Sequence, residues 1–450
     1  MTSSPSKPLS VIQQAMWLEY RLAPASSAYN LVLPIRIRSP HDVRALSRAV
    51  ELVGARHELL RTRFVELADE PRRVPSDAPL ARLDVIESPP ELLRDAVRDY
   101  VGRPFDLSEG AFRVGLIVAA PDDAVLVPVV HHIAGDFVSH WLIVRDLLDA
   151  CQHGDLPEAE GGYDLYVAEE ARVVASDIGT RSHAHWSARI EGATAAELPT
   201  DRPRPALPRH VGATCKVRLA ADVTERLPAA AEAAGVTPFA YLLGSFNAVL
   251  RHYTGLDDFV VGCPATSRLG TQLRDVVGCF VNPLPIRAHF TPTTTFREVI
   301  AAANEQVRSS MLHVRYPCGL LGSGAPLFRL AVLLVAMDRR EPSIPNPVAD
   351  QECGPTIEYA GMRVALMDVP SQEGQLDLVI RLEQSEAGID MVCTYDTDLF
   401  DAGTIERFAG HYQRFARAAV EDVDSTVASQ SLSDGDELRD LLALGGVWSQ

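Results

Sequence analysis

The feature that most constrains the fold is an apolar run that ends in two histidines. Residues 124–130 are apolar throughout, and they are followed by His131, His132 and a short turn that reaches Asp136. A bounded apolar run of this length is typical of a buried strand, and an apolar-periodic helix is predicted next, over residues 139–151. The sequence therefore predicts a strand, a turn and a helix, with both histidines where the strand enters the turn.

A histidine at the end of a buried strand can face a cavity while its backbone is held rigidly. Neutral imidazole accepts a proton from an amine or hydroxyl near pH 7, and positioned acid–base help typically gives about 10²–10⁴-fold in rate. Successive strand residues point to opposite faces, so only one of His131 and His132 can face such a cavity. The other is predicted to be packed, and Asp136 is placed to orient an imidazole or to close an ion pair.

Other chemistries have less support in the sequence. A metal site at His132 and Asp136 lacks an evident third ligand. The sequence has no GxSxG, P-loop or GxGxxG motif, so neither a serine hydrolase nor a nucleotide-binding protein is indicated. Three further histidines, His140, His183 and His185, are predicted to be solvated.

Composition bounds the class of protein. The formal net charge of −18 argues against a nucleic-acid-binding protein, because such proteins present a basic face. Seven scattered cysteines without a CxxC pair predict neither a disulfide framework nor a zinc knuckle. The N-terminus lacks the apolar core of a signal peptide, and no apolar stretch has membrane-spanning length. A cytoplasmic protein with no membrane contact is expected.

Each half of the chain has the pattern of an α+β unit of similar size, which suggests a duplicated architecture, and 450 residues exceed the usual single core. Asp42 is predicted to cap a helix, Thr237-Pro238 to start another and Thr404 to open the last long one. The proline-rich segment 198–208 is predicted to be irregular and to bridge the two halves. Further strands are predicted at residues 59–65, 112–119, 259–262, 327–336, 376–382 and 389–395.

The blocks of sequence around these elements resemble a known family. His131-His132-xxx-Asp136 resembles the HHxxxDG motif shared by condensation domains of nonribosomal peptide synthetases and by carrier-dependent acyltransferases. The similar blocks together extend roughly over residues 9–425, and the set is far more specific than any one of them. The other matching blocks are residues 14–17, 26–30, 56–62, 198–203, 261–268, 277–282 and 398–400.

The resemblance implies two chloramphenicol-acetyltransferase-like subdomains, arranged as a V-shaped pseudo-dimer with a central tunnel. These subdomains are expected over residues 1–180 and 181–430, and residues 431–450 resemble the linker that leads into an adenylation domain. Donor and acceptor carrier proteins are the implied partners, with their phosphopantetheine arms entering from opposite faces. No cofactor is expected to be bound by the domain itself.

The resemblance also implies roles for individual residues. His132 would be the catalytic histidine that positions or deprotonates the attacking amine, with His131 and Gly135 as supporting residues. Asp136 would be structural and paired with Arg61, which belongs to the block that resembles RHExLRT.

Three departures from the family pattern bear on activity. Phe137 stands where the family has glycine. A phenyl ring there is expected to narrow the tunnel or to change its shape on the side of one substrate. The block usually written PVAGR reads Pro264-Ala265-Thr266-Ser267-Arg268, and residues 313–318 lack the aspartate and phenylalanine of HQDxPF.

Amide formation between carrier-bound substrates is the leading interpretation of the function. Acyl transfer to a hydroxyl or to a free small molecule, and a non-catalytic docking or gating module, are the alternatives. Epimerisation lacks its glutamate motif.

Overall fold

The structure is a computed structural model, and it describes residues 6–206, 209–322, 326–336, 344–345, 352–369, 374–385 and 388–432. Residues 207–208 of the predicted bridge and 433–450 of the predicted linker lie outside the described residues. The helices, numbered α1 to α10, are Val11–Leu22, Val43–Arg56, Leu93–Val101, Phe137–His153, Tyr163–Val174, Asp177–Ile190, Ala221–Ala233, Pro238–Thr254, Phe296–Leu312 and Ala402–Glu421.

The strands form two seven-stranded sheets and a smaller three-stranded one within the described residues. The strands, numbered β1 to β17, are Lys7–Pro8, Asn30–Val32, Ile35–Ile37, Thr62–Leu67, Glu70–Pro75, Leu83–Glu87, Phe112–Ala120, Asp123–His131, Thr194–Ala195, Gly212–Arg218, Asp258–Thr266, Val281–His289, Leu330–Ala336, Ile357–Tyr359, Met362–Leu366, Leu378–Ser385 and Gly388–Asp396.

The two large sheets confirm a mixed α+β fold, with one sheet built mainly from each half of the sequence. The first sheet has the order β14-β15-β3-β8-β7-β6, with β2 also pairing with β8. The second has the order β10-β17-β16-β13-β11-β12, with β9 also pairing with β11. Helices of each half pack on its sheet, and each half has its own apolar core. The buried strand β8 lies at the centre of the first sheet.

One connection crosses between the halves. β14 and β15 lie in the second half of the sequence, yet β15 pairs antiparallel with β3 through Val364 and Ile37. The first core also includes Cys279 and Phe280, which lie between β11 and β12. The two halves are therefore joined by a shared sheet and by shared packing. Sequence reasoning missed this crossing, and the subdomain boundaries stay predictions.

Local sequence signals explain most element boundaries. The Asp42 carboxylate accepts from the backbone N–H of Arg44 at 2.8 Å, and the Thr237 hydroxyl accepts from that of Ala240 at 3.1 Å. Both predicted helix starts are confirmed, because each cap satisfies a donor that lacks an intrahelical partner. The last helix begins at Ala402, just before the predicted residue.

The strand predicted over residues 59–65 is wrong in its first half. Residues Glu58–Arg61 form a 3-10 turn, and β4 begins only at Thr62. The Thr62 hydroxyl donates to the Glu58 carbonyl at 2.7 Å and closes that turn. Leu59 and Leu60, which gave the strand-like apolar pattern, are both buried within that turn.

Among the helices of the described residues, none is by itself long and apolar enough to cross a bilayer. A bent pair, Ala221–Ala233 with Pro238–Thr254, passes that test together by length and composition, with an angle of 105° between its members.

Candidate active site

The predicted strand, turn and helix around the histidines are confirmed. β8 ends at His131, which pairs with Asn30 of β2, and α4 begins at Phe137 with Asp136 as its N-cap. The carboxylate of Asp136 accepts from the Ser139 backbone N–H at 2.8 Å. A short turn thus links a central strand to a capped helix, so both histidine backbones are fixed.

His131 is the packed member of the pair. Its side chain is buried, and its Nδ1 accepts from the Ile133 backbone N–H at 3.1 Å. The rings of Tyr20, Tyr29 and Phe105 surround it at centroid distances of 6.3, 5.7 and 6.1 Å. Burial lowers the pKa of His131 to about 3, because a charged imidazole would lose its hydration there. His131 is therefore a neutral structural residue at physiological pH.

His132 is only half-buried and is oriented by its own turn. Its backbone N–H donates to the Tyr29 carbonyl at 2.8 Å, and its Nδ1 lies 2.8 Å from the Gly135 carbonyl oxygen. Because a carbonyl oxygen can only accept, this contact assigns the ring proton to Nδ1 and leaves the lone pair on Nε2. The Cys279 sulfur lies 3.7 Å from the same Nδ1, so the second half of the chain also contacts this imidazole.

The predicted partner of Asp136 is wrong. The cation on its carboxylate is Arg268, whose Nη2 lies 3.0 and 3.2 Å from the two oxygens. Arg61 lies in the 3-10 turn and donates to the carbonyls of Ala55, at 3.4 Å, and Ser76. The difference comes from tertiary packing: the segment between β11 and β12, which includes Arg268 and Phe280, lies at the start of α4 and contacts the capping carboxylate.

Asp136 and Arg268 belong to a network that joins the two halves, and we call Asp136, Ser139, Arg268, Gly278 and Phe280 the inter-half clasp. Phe280 donates its backbone N–H to Asp136 at 3.2 Å. The Ser139 hydroxyl donates to the Gly278 carbonyl at 2.8 Å and lies 3.0 Å from Arg268 Nη2. The Arg268 and Asp136 side chains are only 7% and 4% exposed. The clasp therefore holds the turn that follows His131 and His132 against the second half.

Close packing fixes residues 278–280 of the second half beside His132. A Cβ added at Gly278 would come within 2.3 Å of the Tyr163 ring, so only glycine fits there. The Tyr163 hydroxyl donates to the Cys279 carbonyl at 2.6 Å, and Arg268 covers the Phe280 ring at 4.1 Å. These contacts keep Cys279 at the imidazole.

Nearly the whole chain is matched by known proteins. The sequence profile described as the condensation domain matches residues 4–442 of the chain. The chain belongs to the condensation domain family.

Relatives and solved structures agree with this membership. The condensation domain is 30% identical over 453 residues to one of the proteins that form the linear gramicidin synthase of Brevibacillus parabrevis, and the match covers 95% of this chain but only 6% of that protein. The complex of the X-domain and OxyB from teicoplanin biosynthesis matches with a TM-score of 0.83 and 26% identity, covering 97% of this chain and 98% of that one. The first condensation domain of the calcium-dependent antibiotic synthetase, in complex with substrate analogue 3a, matches with a TM-score of 0.78 at 23% identity, covering 96% and 100%.

Phe137, the first departure from the family motif, reaches across to the second half. It is the first residue of α4 and is half-buried. The guanidinium carbon of Arg381, on β16 of the second sheet, lies 5.9 Å from the centre of its ring. A glycine could not make this approach, so in this condensation domain Phe137 adds a contact between the two halves, and its effect on the tunnel stays a prediction.

The remaining histidines are not all solvated. His183 is exposed as predicted, whereas the His185 ring stacks on His313 at 4.0 Å. His140 is buried, and its Nε2 lies 3.4 Å from the Pro128 carbonyl. The prediction for His140 is wrong because α4 is buried along most of its length, and this side chain lies against β8.

Two buried histidines give a prediction for stability against pH. Burial lowers the pKa of His131 to about 3 and that of His140 to about 4, whereas unfolded histidine titrates near about 6.5. The unfolded state therefore binds more protons between these values, so the free energy of unfolding falls as pH drops below about 6.5, by about 1.4 kcal/mol per pH unit for each histidine. Urea unfolding at pH 7.5, 6.0 and 5.0 measures the slope. We expect His140→Gln to flatten it and His183→Gln, at an exposed site, to leave it unchanged.

Proposed function

We propose that this condensation domain joins a carrier-tethered acyl or peptidyl thioester to the amine of a carrier-tethered aminoacyl acceptor. The product is an amide in nonribosomal peptide or hybrid polyketide biosynthesis. The observation that carries the proposal is the 2.8 Å contact between His132 Nδ1 and the Gly135 carbonyl oxygen, from which we assign the ring proton to Nδ1 and the lone pair to Nε2. A proton acceptor of this kind suits an amine nucleophile near neutral pH.

The proposed step is a single acyl transfer. The acceptor nitrogen bonds to the thioester carbonyl carbon, and the C–S bond to the donor arm breaks. The proton that the nitrogen loses passes to Nε2 of His132 and then to the departing thiolate. The Gly135 carbonyl supports the imidazolium that forms, because a hydrogen bond to the charged form favours that form.

Asp136 has a supporting part in this proposal. Its carboxylate accepts hydrogen bonds from Ser139, Arg268 and Phe280. Asp136 therefore fixes the turn that contains His132. Arg61 contacts backbone carbonyls in the 3-10 turn, and its proposed contribution is limited to that turn.

The proposed partners are donor and acceptor carrier proteins, with an adenylation domain downstream. Both substrates arrive on phosphopantetheine arms, so the domain needs no cofactor of its own under this proposal. The linear gramicidin synthase protein is much longer than this chain, which spans 6% of it, and the activity of such a whole synthetase is likewise a proposal here. A cytoplasmic location stays a prediction.

A docking or gating module is the second candidate, and two observations favour it. Phe137 replaces the motif glycine, and the guanidinium carbon of Arg381 lies 5.9 Å from the centre of its ring, so the ring would occupy space that a glycine leaves open. One structural neighbour, the X-domain, is in complex with a second protein, OxyB. A fold of this kind can therefore present a binding surface for another protein.

Intact-protein mass spectrometry of the carriers tests the proposal. The wild-type protein is offered an acyl-loaded donor carrier with three acceptors in turn: an aminoacyl carrier, a hydroxyacyl carrier and free amines or alcohols. Mass gain on the aminoacyl carrier, with a product that resists mild base once released, is the expected result. Gain on the hydroxyacyl carrier or on free acceptors replaces amide formation by the wider acyltransferase activity. No transfer with carrier binding intact favours the docking module, and reactions without the protein are the control.

The Phe137 ring gives a prediction about substrate size. The measured quantity is the ratio of kcat/KM for a bulky aminoacyl carrier to kcat/KM for glycyl carrier. We expect Phe137→Gly to raise this ratio by about tenfold, which is the effect that one apolar contact typically has on substrate selection. Phe137→Leu keeps most of the side-chain volume and is the matched control. Competition between the two acceptors in one reaction measures the ratio, and an unchanged ratio in Phe137→Gly would contradict the proposed role of the ring.

A further inference from the structure

A cavity of 240 Å³ lies in the second half, where β11 and β13 separate, and we call it the β11–β13 cavity. Residues of β11, β12, β13, α8 and α9 line it, and nearly all are apolar. The one hydroxyl in the lining, on Ser310, donates to the Gln306 carbonyl at 2.6 Å and accepts from Arg189 at 2.6 Å. The one side-chain hydroxyl of the lining is therefore already hydrogen-bonded.

The opening of the sheet follows from the sequence. β11 pairs with β12 along its whole length, but with β13 only at Gly262 and Ala331. Pro264 comes two residues later and has no N–H to donate, so it cannot extend the ladder to β13. A Cβ added at Gly262 would come within 2.5 Å of the Phe328 ring, which fixes the strands at that crossing. Beyond it the two strands diverge and leave the cavity.

The cavity reaches both faces of the second sheet. Leu333 and Leu334 both line it, yet Leu333 packs against the first core and Leu334 against the second. Ala265, another lining residue, pairs with Asn282. Asn282 lies three residues beyond Cys279, a span of at most about 10 Å of extended chain. A short stretch of chain thus connects the Ala265 end of the cavity with Cys279, whose sulfur lies 3.7 Å from His132 Nδ1.

We infer that the β11–β13 cavity is a substrate subsite that takes an apolar substituent, an aliphatic chain or an aromatic side chain, of a pantetheine-linked thioester. The lining is mostly apolar and adjoins apolar core residues of both halves, and apolar surface of this kind favours an apolar ligand because binding removes it from water. Whole-ligand pockets usually have about 300–1,000 Å³, so this volume suits part of a substrate. The inference rests on the proposed function, since it assigns a substrate class to the same site.

The chemistry of the lining is compatible with a thioester. Cys263 is the thiol in the cavity wall, and burial raises its pKa to about 12. It therefore stays protonated at neutral pH and does not attack the substrate, because the thiolate is the nucleophile. Met311, which is 44% exposed on α9, lies at the outer end of the lining and offers a position for substitution that leaves the core intact.

Binding of unreactive probes tests the inference without requiring transfer. The probes are S-ethyl, S-hexyl and S-decyl pantetheine, whose thioether cannot react, and isothermal titration measures their affinities. We expect wild-type affinity to rise by about three- to fourfold per methylene until the cavity is filled. Ala265→Leu and Met311→Trp fill the cavity from its two ends, and either change should remove most of the gain for S-decyl pantetheine. Ala230→Leu, on α7 and outside the lining, is the matched control and should keep that gain.

An affinity that does not depend on chain length would overturn the inference, and so would a gain that both cavity-filling variants retain. Thermal melting of Ala265→Leu checks its fold, and Met311→Trp keeps the test valid if Ala265→Leu is unfolded. Acyl transfer with matched donor and acceptor series then assigns the substituent to one of the two substrates. Length-dependent binding in a protein that transfers nothing would leave the subsite in place and refute the proposed function instead.

Discussion

His132→Ala is expected to lower the rate of amide formation by about 10²–10⁴-fold, the range that a positioned acid–base group provides. The half-buried imidazole makes its Nδ1 contact within its own turn, to Gly135, and meets the second half at Cys279. Removing it should therefore take away the proton acceptor while the turn stays fixed by Asp136. Single-turnover transfer between loaded carriers, followed by intact-protein mass spectrometry, measures the loss.

Two controls separate chemistry from folding in this experiment. His183→Ala removes an exposed histidine of α6 and should leave transfer unchanged. The melting temperature of His132→Ala should stay close to that of the wild type, because the lost ring is half-buried and is not a member of the clasp. Wild-type transfer rates in a folded His132→Ala protein would contradict the catalytic assignment.

Much of the fold follows from local sequence signals. The continuous apolar run before His131 predicts a strand at the centre of a sheet, where both of its faces are buried. Asp42 and Thr237 predict helix starts because their side chains cap free backbone N–H groups. β12 escaped prediction because Pro283 and Pro285 are unfavourable in a strand. In the structure β12 is the last strand of its sheet in the described residues, where missing N–H donors are tolerated.

The histidine pair shows how far the site could be predicted. Strand alternation predicts that one ring faces a cavity and the other is packed, and the structure assigns the packed role to His131. Which of the two is packed depends on Tyr20, Tyr29 and Phe105, rings that lie far from β8 in sequence. Local patterns contain no information about those contacts.

The partner of Asp136 shows the same limit. Arg61 and Arg268 both lie in blocks that resemble family motifs. The spacing of these blocks along the sequence does not indicate which arginine pairs with Asp136. The choice follows from the N-cap geometry of α4 and from the position of the β11–β12 connection. Both depend on how the halves pack together, and so does the crossing of β14 and β15 into the first sheet.

Breaking the buried ion pair of the clasp should have the largest effect on stability. Asp136→Asn keeps a good N-cap for α4 and removes the charge, whereas Arg268→Met removes the cation and keeps most of the side-chain length. Each is expected to lower the free energy of unfolding by about 3–5 kcal/mol. Asp136→Asn leaves the buried Arg268 cation without its carboxylate, and Arg268→Met leaves the buried Asp136 carboxylate without its cation. Urea unfolding followed by tryptophan fluorescence measures both values.

The double variant decides whether the pair itself is responsible. If the loss in each single variant comes from the stranded partner, the combination of Asp136→Asn with Arg268→Met should cost clearly less than the sum of the two. Arg315→Met is the surface control, since its ion pair with Glu169 is largely exposed and should contribute no more than about 1 kcal/mol. Additive losses, or single losses as small as that of the surface control, would show that the clasp is not what holds the active-site turn against the second half. A clasp variant that is folded but slow in transfer would mean instead that the two halves must be held in register for His132 to meet both substrates.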